Sequence, residues 1–235
     1  MIPIKSVLKS SVGRKFIMGA SGLALLGFLI THLAGNLLLF IPGGALFNEY
    51  AQKLESLGML LYVAEFGLAF LFVFHSVIAI RLKLDNLSAR GSKYAGLKSK
   101  GGPSRWNIAS VNMAISGLVM GAFLIWHIKS MKFGPSIAQG YVTEVKGTLD
   151  RDLYRLVFET FKDPIQVWLY VGVMIFLGLH LRHGFWSAFQ SLGLIRPRFS
   201  KLISAVGVFI AVLMAAGFLG IPLYIHFILP GVKTL

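Results

Sequence analysis

Five stretches of mostly apolar residues, at roughly 16–40, 57–80, 107–128, 164–189 and 202–229, constrain this chain more than any motif it carries. Each reaches the length of about 20 residues that a helix needs to cross the hydrocarbon core of a bilayer. A segment placed in hydrocarbon must satisfy every backbone N–H and C=O within itself, which leaves the α-helix for isolated runs of this length. The expected fold is an all-α integral membrane protein, a five-transmembrane-helix bundle forming a single domain over residues 1–235. Composition agrees: 56% hydrophobic residues in 235 is more than one soluble core hides from water. The first run is too long for a signal-peptide core, is interrupted by Ser21, Thr31, His32 and Asn36, and is followed by no small-residue cleavage site, so it counts as span I.

The charge balance, 23 Lys+Arg against 9 Asp+Glu, would suggest nucleic acid in a soluble chain. Here the cations lie in clusters between apolar runs, where positive charge retained on the cytoplasmic side explains them and no nucleic-acid partner is implied. One set comprises Lys5, Lys9, Arg14 and Lys15 before span I; Arg81, Lys83, Arg90, Lys93, Lys98, Lys100 and Arg105 after span II; and Arg182, Arg196, Arg198 and Lys201 around the end of span IV. The opposite loops hold the remaining cations, among them Lys53 and Lys233, and also Glu49, Glu55, Glu144, Asp150, Asp152, Glu159 and Asp163. The expected topology is multi-pass, with the N-terminus cytoplasmic and the C-terminus external. In the longest external loop, DRDLYRLVFETF places Leu149, Leu153, Leu156, Val157 and Phe161 at helical spacing, as a helix lying flat on the membrane or as a plain connector helix.

With 0 Cys the chain has no disulfide, no thiolate metal site, no iron–sulfur ligation and no covalent haem attachment. Outside the spans no segment is long enough for a catalytic domain, and none carries a glycine-rich nucleotide fingerprint. A metal or cofactor must therefore rest on the 6 His.

Four of these lie inside spans, where ionisable residues are costly and tend to be functional. His32, some 18 residues after Arg14, falls in the external half of span I. His75, six before Arg81, falls in the cytoplasmic half of span II. Span III begins inside near Trp106 and brings His127 near its external end; span IV begins outside near Pro164 and brings His180 into its cytoplasmic half. The four sort by depth into an external pair, His32 with His127, and an internal pair, His75 with His180. Each pair is one axial set for a haem, so the bundle is expected to enclose two stacked b haems.

A second regularity supports this grouping. Ser21-Gly22 precedes His32 and Ser116-Gly117 precedes His127 by the same interval. Ten residues of helix rise about 15 Å, which brings Gly22 and Gly117 to the level of the internal histidines, where a missing side chain leaves room for a macrocycle. Gly67, eight before His75, and Gly172, eight before His180, approach the external level in the same way. The plainer alternative makes these hydrogen-bonded interior histidines and ordinary helix-packing glycines. His183, one turn beyond His180 beside Arg182, could ligate in its place, contact a propionate or quinone, or be solvated, and the last two are favoured. His226, near the external end of span V, is expected to be interfacial.

These residues sit in strings that resemble a known family: SGLALLGFLITHL around His32, VFHSVIAIRL around His75, SGLVMGAFLIWH ending at His127, and GLHLRHGFWSAFQSLGLI from Gly178 to Ile195. The chain is similar over nearly its whole length to the di-haem cytochrome b subunits of succinate:quinone oxidoreductases, the succinate dehydrogenases and fumarate reductases with a single five-helix membrane subunit. The family's ligand in the last string is the His four residues before a Gly, which selects His180, with Gly184, over His183. The resemblance implies a bacterial cytoplasmic-membrane protein that anchors a flavoprotein carrying FAD and an iron–sulfur subunit. It implies two haem b groups, bound by His32 and His127 and by His75 and His180, that pass electrons to or from a membrane quinone, menaquinone in this subtype. This chain then holds no dicarboxylate site.

Haem propionates are anionic and call for cations or donors, for which Arg81, Lys83, Arg182 and His183 are the cytoplasmic candidates; topological retention alone would also account for the three cations. The basic face suits docking of the iron–sulfur subunit or contact with anionic lipid. Glu65, about ten residues outward of His75, is a candidate for proton relay to quinone or a snorkelling surface group, with Glu49 and Glu55 weaker candidates. Ser10 or Ser11 with Arg14 is similar to a Ser and Arg pair that lines quinone pockets in related anchors. Some family members carry a carboxylate two residues before the span IV ligand, where this chain has Gly178, so proton transfer by that route is not expected here. The competing readings are a haem b subunit of another respiratory oxidoreductase and a cofactor-free proton-coupled transporter. A bc-type cytochrome is disfavoured, because no span carries two well-separated histidines, and the transporter lacks an inverted repeat or paired broken helices.

Overall fold

The computed structural model describes residues 10–88 and 113–229. Five of its helices are long and apolar enough to cross a membrane, as an all-α membrane protein requires. Span I is α1, Ser11–Asn36, drawn out by a 3₁₀ turn at Leu37–Phe40. A short helix α2, Ala45–Glu55, follows, and span II is α3, Met59–Ser88. Span III is α4, Met113–His127, which runs on into a π-helical turn at Ile128–Lys132. Next come a hairpin, β1 (Val142–Val145) and β2 (Thr148–Arg151), and helix α5, Leu153–Thr160. Spans IV and V are α6, Pro164–Ser191, and α7, Ser200–Phe227.

Apolar side chains such as Phe66, Phe70, Leu118, Ile125 and Phe209 stand exposed along the spans, the arrangement expected where hydrocarbon is the solvent. Two boundaries differ from the hydropathy reading. α1 begins at Ser11, so Arg14 and Lys15 lie on the helix, and α3 continues through Arg81 and Lys83 to Ser88. Arg and Lys are good helix formers whose aliphatic stems can run along a span while the charged head reaches water, so apolar composition ends before the helix does. Residues 107–112 of span III, Trp106, and the cations Lys5, Lys9, Arg90, Lys93, Lys98, Lys100, Arg105 and Lys233 lie outside the described residues.

The segment between spans III and IV corrects the expectation of one helix over its apolar residues. Leu149 belongs to β2 and is 74% exposed, and helix begins only at Leu153. The hairpin turns on Lys146 (φ 51°) and Gly147 (φ 82°). Two successive residues with positive φ match the twist of the flanking strands, which pair Val142 with Arg151 and Val145 with Thr148. The apolar face of α5 does not lie on lipid: Tyr154, Leu156, Val157, Phe158 and Phe161 are all buried, and α5 packs on α2, which also meets β1.

Asn48 locks this packing. Its side-chain amide donates to Asp152 Oδ1 at 2.9 Å and its carbonyl oxygen accepts from the Tyr154 N–H at 3.0 Å, while Asp152 caps α5 by accepting from the Arg155 N–H at 2.9 Å. Gly44 (φ 72°) opens α2 at a point where a Cβ would lie 2.4 Å from the Tyr154 ring, so both conformation and space require glycine. Arg151 closes the end of span III by donating to the carbonyls of Met131, Lys132 and Pro135.

The chain divides into two compact units. One comprises the described residues in 10–27, 68–88, 113–118 and 179–211; the other comprises 28–67, 119–178 and 212–229.

Candidate functional site

The first unit contains His75, His180 and His183. His75 on α3 faces α1, where its Nδ1 lies 3.0 Å from Ser21 Oγ, and that hydroxyl also donates to the Met18 carbonyl at 3.2 Å. The same contact recurs on the other pair of spans. His180 Nδ1 on α6 lies 3.1 Å from Ser116 Oγ on α4, and Ser116 donates to the Met113 carbonyl at 3.1 Å. Both serines are buried, at 5% and 1% exposure. A serine hydroxyl has one proton. With that proton on the helix carbonyl, both contacts can be hydrogen bonds only if Nδ1–H of the imidazole donates, which leaves the lone pair on Nε2.

The glycine beside each serine lies against the same ring. A Cβ on Gly22 would sit 3.2 Å from His75 Cε1, and one on Gly117 would sit 3.8 Å from His180 Cε1. The interval between each Ser-Gly pair and the next histidine on its own helix therefore has the expected consequence: these glycines lie level with His75 and His180. Where the sequence suggested room for a ring system, the nearest neighbour of each glycine is the imidazole edge. His183 is half-buried and makes no hydrogen bond among the described residues.

The second unit contains His32 and His127. Their rings are in direct edge contact, with centroids 5.9 Å apart and planes at 87°. Here the imidazoles are held mainly by rings. His32 stacks on Phe28 at 5.3 Å and tilts against Phe218 at 5.8 Å. His127 stacks on Phe123 at 5.5 Å, and its Nδ1 lies 3.1 Å from the hydroxyl of Tyr170, a buried residue of α6. Gly67 and Gly172 belong to this unit, and a Cβ on either would meet no atom within 4 Å.

No family model, curated protein or solved structure matches this chain. The donor set must speak for itself. It consists of two imidazoles in ring contact, His32 and His127, and two in the other unit, His75 and His180, each with Nε2 left free by a defined partner on Nδ1. Among the described residues no three His, Asp or Glu gather as a lone metal ion would need.

The remaining candidates take other places. Arg14 forms an ion pair with Asp85 at 2.8 Å, and its buried Nε has no hydrogen-bond partner among the described residues. The Ser10 hydroxyl accepts from the Gly13 N–H at 2.9 Å at the start of α1, and Ser11 is exposed. Arg81, Lys83 and Arg182 are exposed and make no ion pair among the described residues. Glu65 pairs with Lys132, which closes span III and stands 6.0 Å from the Tyr62 ring.

Glu49 pairs with Lys146 at 2.5 Å, which holds its carboxyl below the usual range. Burial and the neighbouring Asp150 push the Glu55 carboxyl up. His226 Nδ1–H donates to the Phe161 carbonyl at 3.0 Å and ties α7 to the end of α5.

Proposed function

We propose that this chain is the di-haem cytochrome b membrane anchor of a succinate:quinone oxidoreductase, with one haem b on His75 and His180 and the other on His32 and His127. The observation that carries the reading is the placement of four span histidines, two in each unit: His32 and His127 with rings 5.9 Å apart, and His75 and His180 each with Nδ1 on a buried serine of a neighbouring span. Haem bound at these positions supplies one-electron transfer between its ferric and ferrous states. The chain's own residues ligate, orient and compensate charge. Ser21 and Ser116 hold two imidazoles in the ligating tautomer, and Phe28, Phe123, Phe218 and Tyr170 set the planes of the other two. Arg14, whose buried Nε has no partner among the described residues, joins Arg81, Lys83, Arg182 and His183 as a donor for propionates or quinone oxygens.

The reading puts the N-terminus on the cytoplasmic side, where the basic segments face an iron–sulfur subunit and, beyond it, a flavoprotein that oxidises succinate or reduces fumarate. The 0 Cys of the chain agree with flavin and clusters residing on those partners. A membrane quinone, menaquinone by the family resemblance, is the other electron partner.

The test is succinate added to membranes containing the intact complex. The expected result is reduction of b-type haem that is lost in His75→Ala and His180→Ala membranes for one of the two haems. Haem that succinate leaves oxidised while another respiratory donor reduces it would assign the chain to a different oxidoreductase.

A further inference from the structure

The two serine contacts belong to one repeated device. Met18–Gly22 reads MGASG on α1, and Met113–Gly117 reads MAISG on α4. In each, the Ser hydroxyl bonds back to the carbonyl three residues earlier, which leaves its oxygen as an acceptor aimed at the histidine of the next span. We infer that Ser21 and Ser116 are positioning residues for the haem on His75 and His180, fixing both imidazoles as Nδ1–H tautomers with Nε2 toward the iron. The inference rests on the di-haem reading.

The physics is that of an outer-shell acceptor. A ligating imidazole that donates its distal N–H is locked in tautomer and orientation and is a stronger electron donor to the metal. Serine inside a helix commonly bonds back to its own carbonyls; what distinguishes these two is that the same oxygen, almost fully buried, also meets an imidazole. A ring N–H left there without an acceptor would be a buried unsatisfied donor. Among the described residues His32 meets no such hydroxyl, and His127 meets Tyr170 instead. The haem of the second unit thus serves as an internal reference.

Ser21→Ala and Ser116→Ala, each in the full chain with its partner subunits, are to be compared with wild type by haem content, redox titration of the b haems and the low-temperature EPR envelope of each haem. Loss of the acceptor weakens donation to ferric iron, so the midpoint potential of the His75/His180 haem rises and its EPR envelope shifts. Outer-shell losses of this kind typically weaken metal affinity by roughly 10–100-fold, so haem retention at that site falls as well, while the other haem keeps its potential and occupancy.

Ser21→Thr preserves the hydroxyl and its back-bond and is expected to retain the wild-type signals even if the alanine variant loses the haem. Unchanged potentials and envelopes in both alanine variants, equal shifts of both haems, or loss of the haem in Ser21→Thr as fully as in Ser21→Ala would overturn the inference. A wild-type chain with no haem would instead overturn the reading beneath it, so the two failures are distinguishable.

Discussion

His75 and His180 are each gripped by a buried hydroxyl from a neighbouring span, with a glycine backbone against the ring edge; His32 and His127 are set by stacked and edge-on aromatic rings and touch each other. On His75 and His180 a serine hydroxyl whose own proton goes to a helix carbonyl settles which ring nitrogen is free; on His127 the Tyr170 hydroxyl can donate or accept, and on His32 rings fix the plane of the imidazole and leave its proton undetermined. The two sets are thus held by different means, one chiefly by hydrogen bonds and one chiefly by rings. The second unit also carries the hairpin and α5, held by the Asn48–Asp152–Tyr154 bonds, while the spans of the first are tied near the start of α1 by Arg14 and Asp85.

Removing a ligand breaks the comparison most severely. His180→Ala is expected to abolish one haem and spare the other, and His183→Ala to keep both, as read by haem content per chain; the reverse result would exchange the ligand assignments of His180 and His183. Crowding comes next. Gly22→Val adds methyls where a Cβ alone is already 3.2 Å from His75, so occupancy of the His75/His180 site falls several-fold while the other site keeps its haem.

Asn48→Ala leaves the Tyr154 N–H without its acceptor and Asp152 without a donor, a loss of about 2–3 kcal/mol. It should appear as faster proteolysis between residues 142 and 160 with both haems retained.

The smallest expected effect is on pH dependence. Hydrogen bonds from Tyr141 at 2.5 Å and Arg155 at 2.8 Å hold the Glu159 carboxyl below the usual range. Because the folded value is depressed, the contribution of Glu159 is present above the ordinary carboxylate range and is lost as pH falls through the depressed value. Hydrogen exchange in α5 should accelerate over that acidic window, and Glu159→Gln should flatten the response.

The spans were legible because hydrocarbon imposes length and apolarity directly on sequence, and the two Ser-Gly intervals were legible because helical rise converts spacing into depth. The role of the serines was not, since a contact from Ser21 to His75 bridges 54 positions and depends on rotation about the helix axes. A repeated Met-x-x-Ser-Gly on the first and third spans was the available signal. The aromatic setting of His32 and His127 left no signal, because Phe28, Phe123 and Phe218 lie among 19 Phe in apolar runs that any span could carry. The hairpin was missed for a different reason: strands of four residues around Lys146-Gly147 are too short for alternation to stand out, and the buried face of α5 reads in sequence like the apolar face of a membrane-surface helix.

The most direct test of two haem sites built from four span histidines is a reduced-minus-oxidised spectrum with a pyridine haemochrome count on the purified full-length chain. The account predicts two b-type haems per chain; a colourless protein would contradict it.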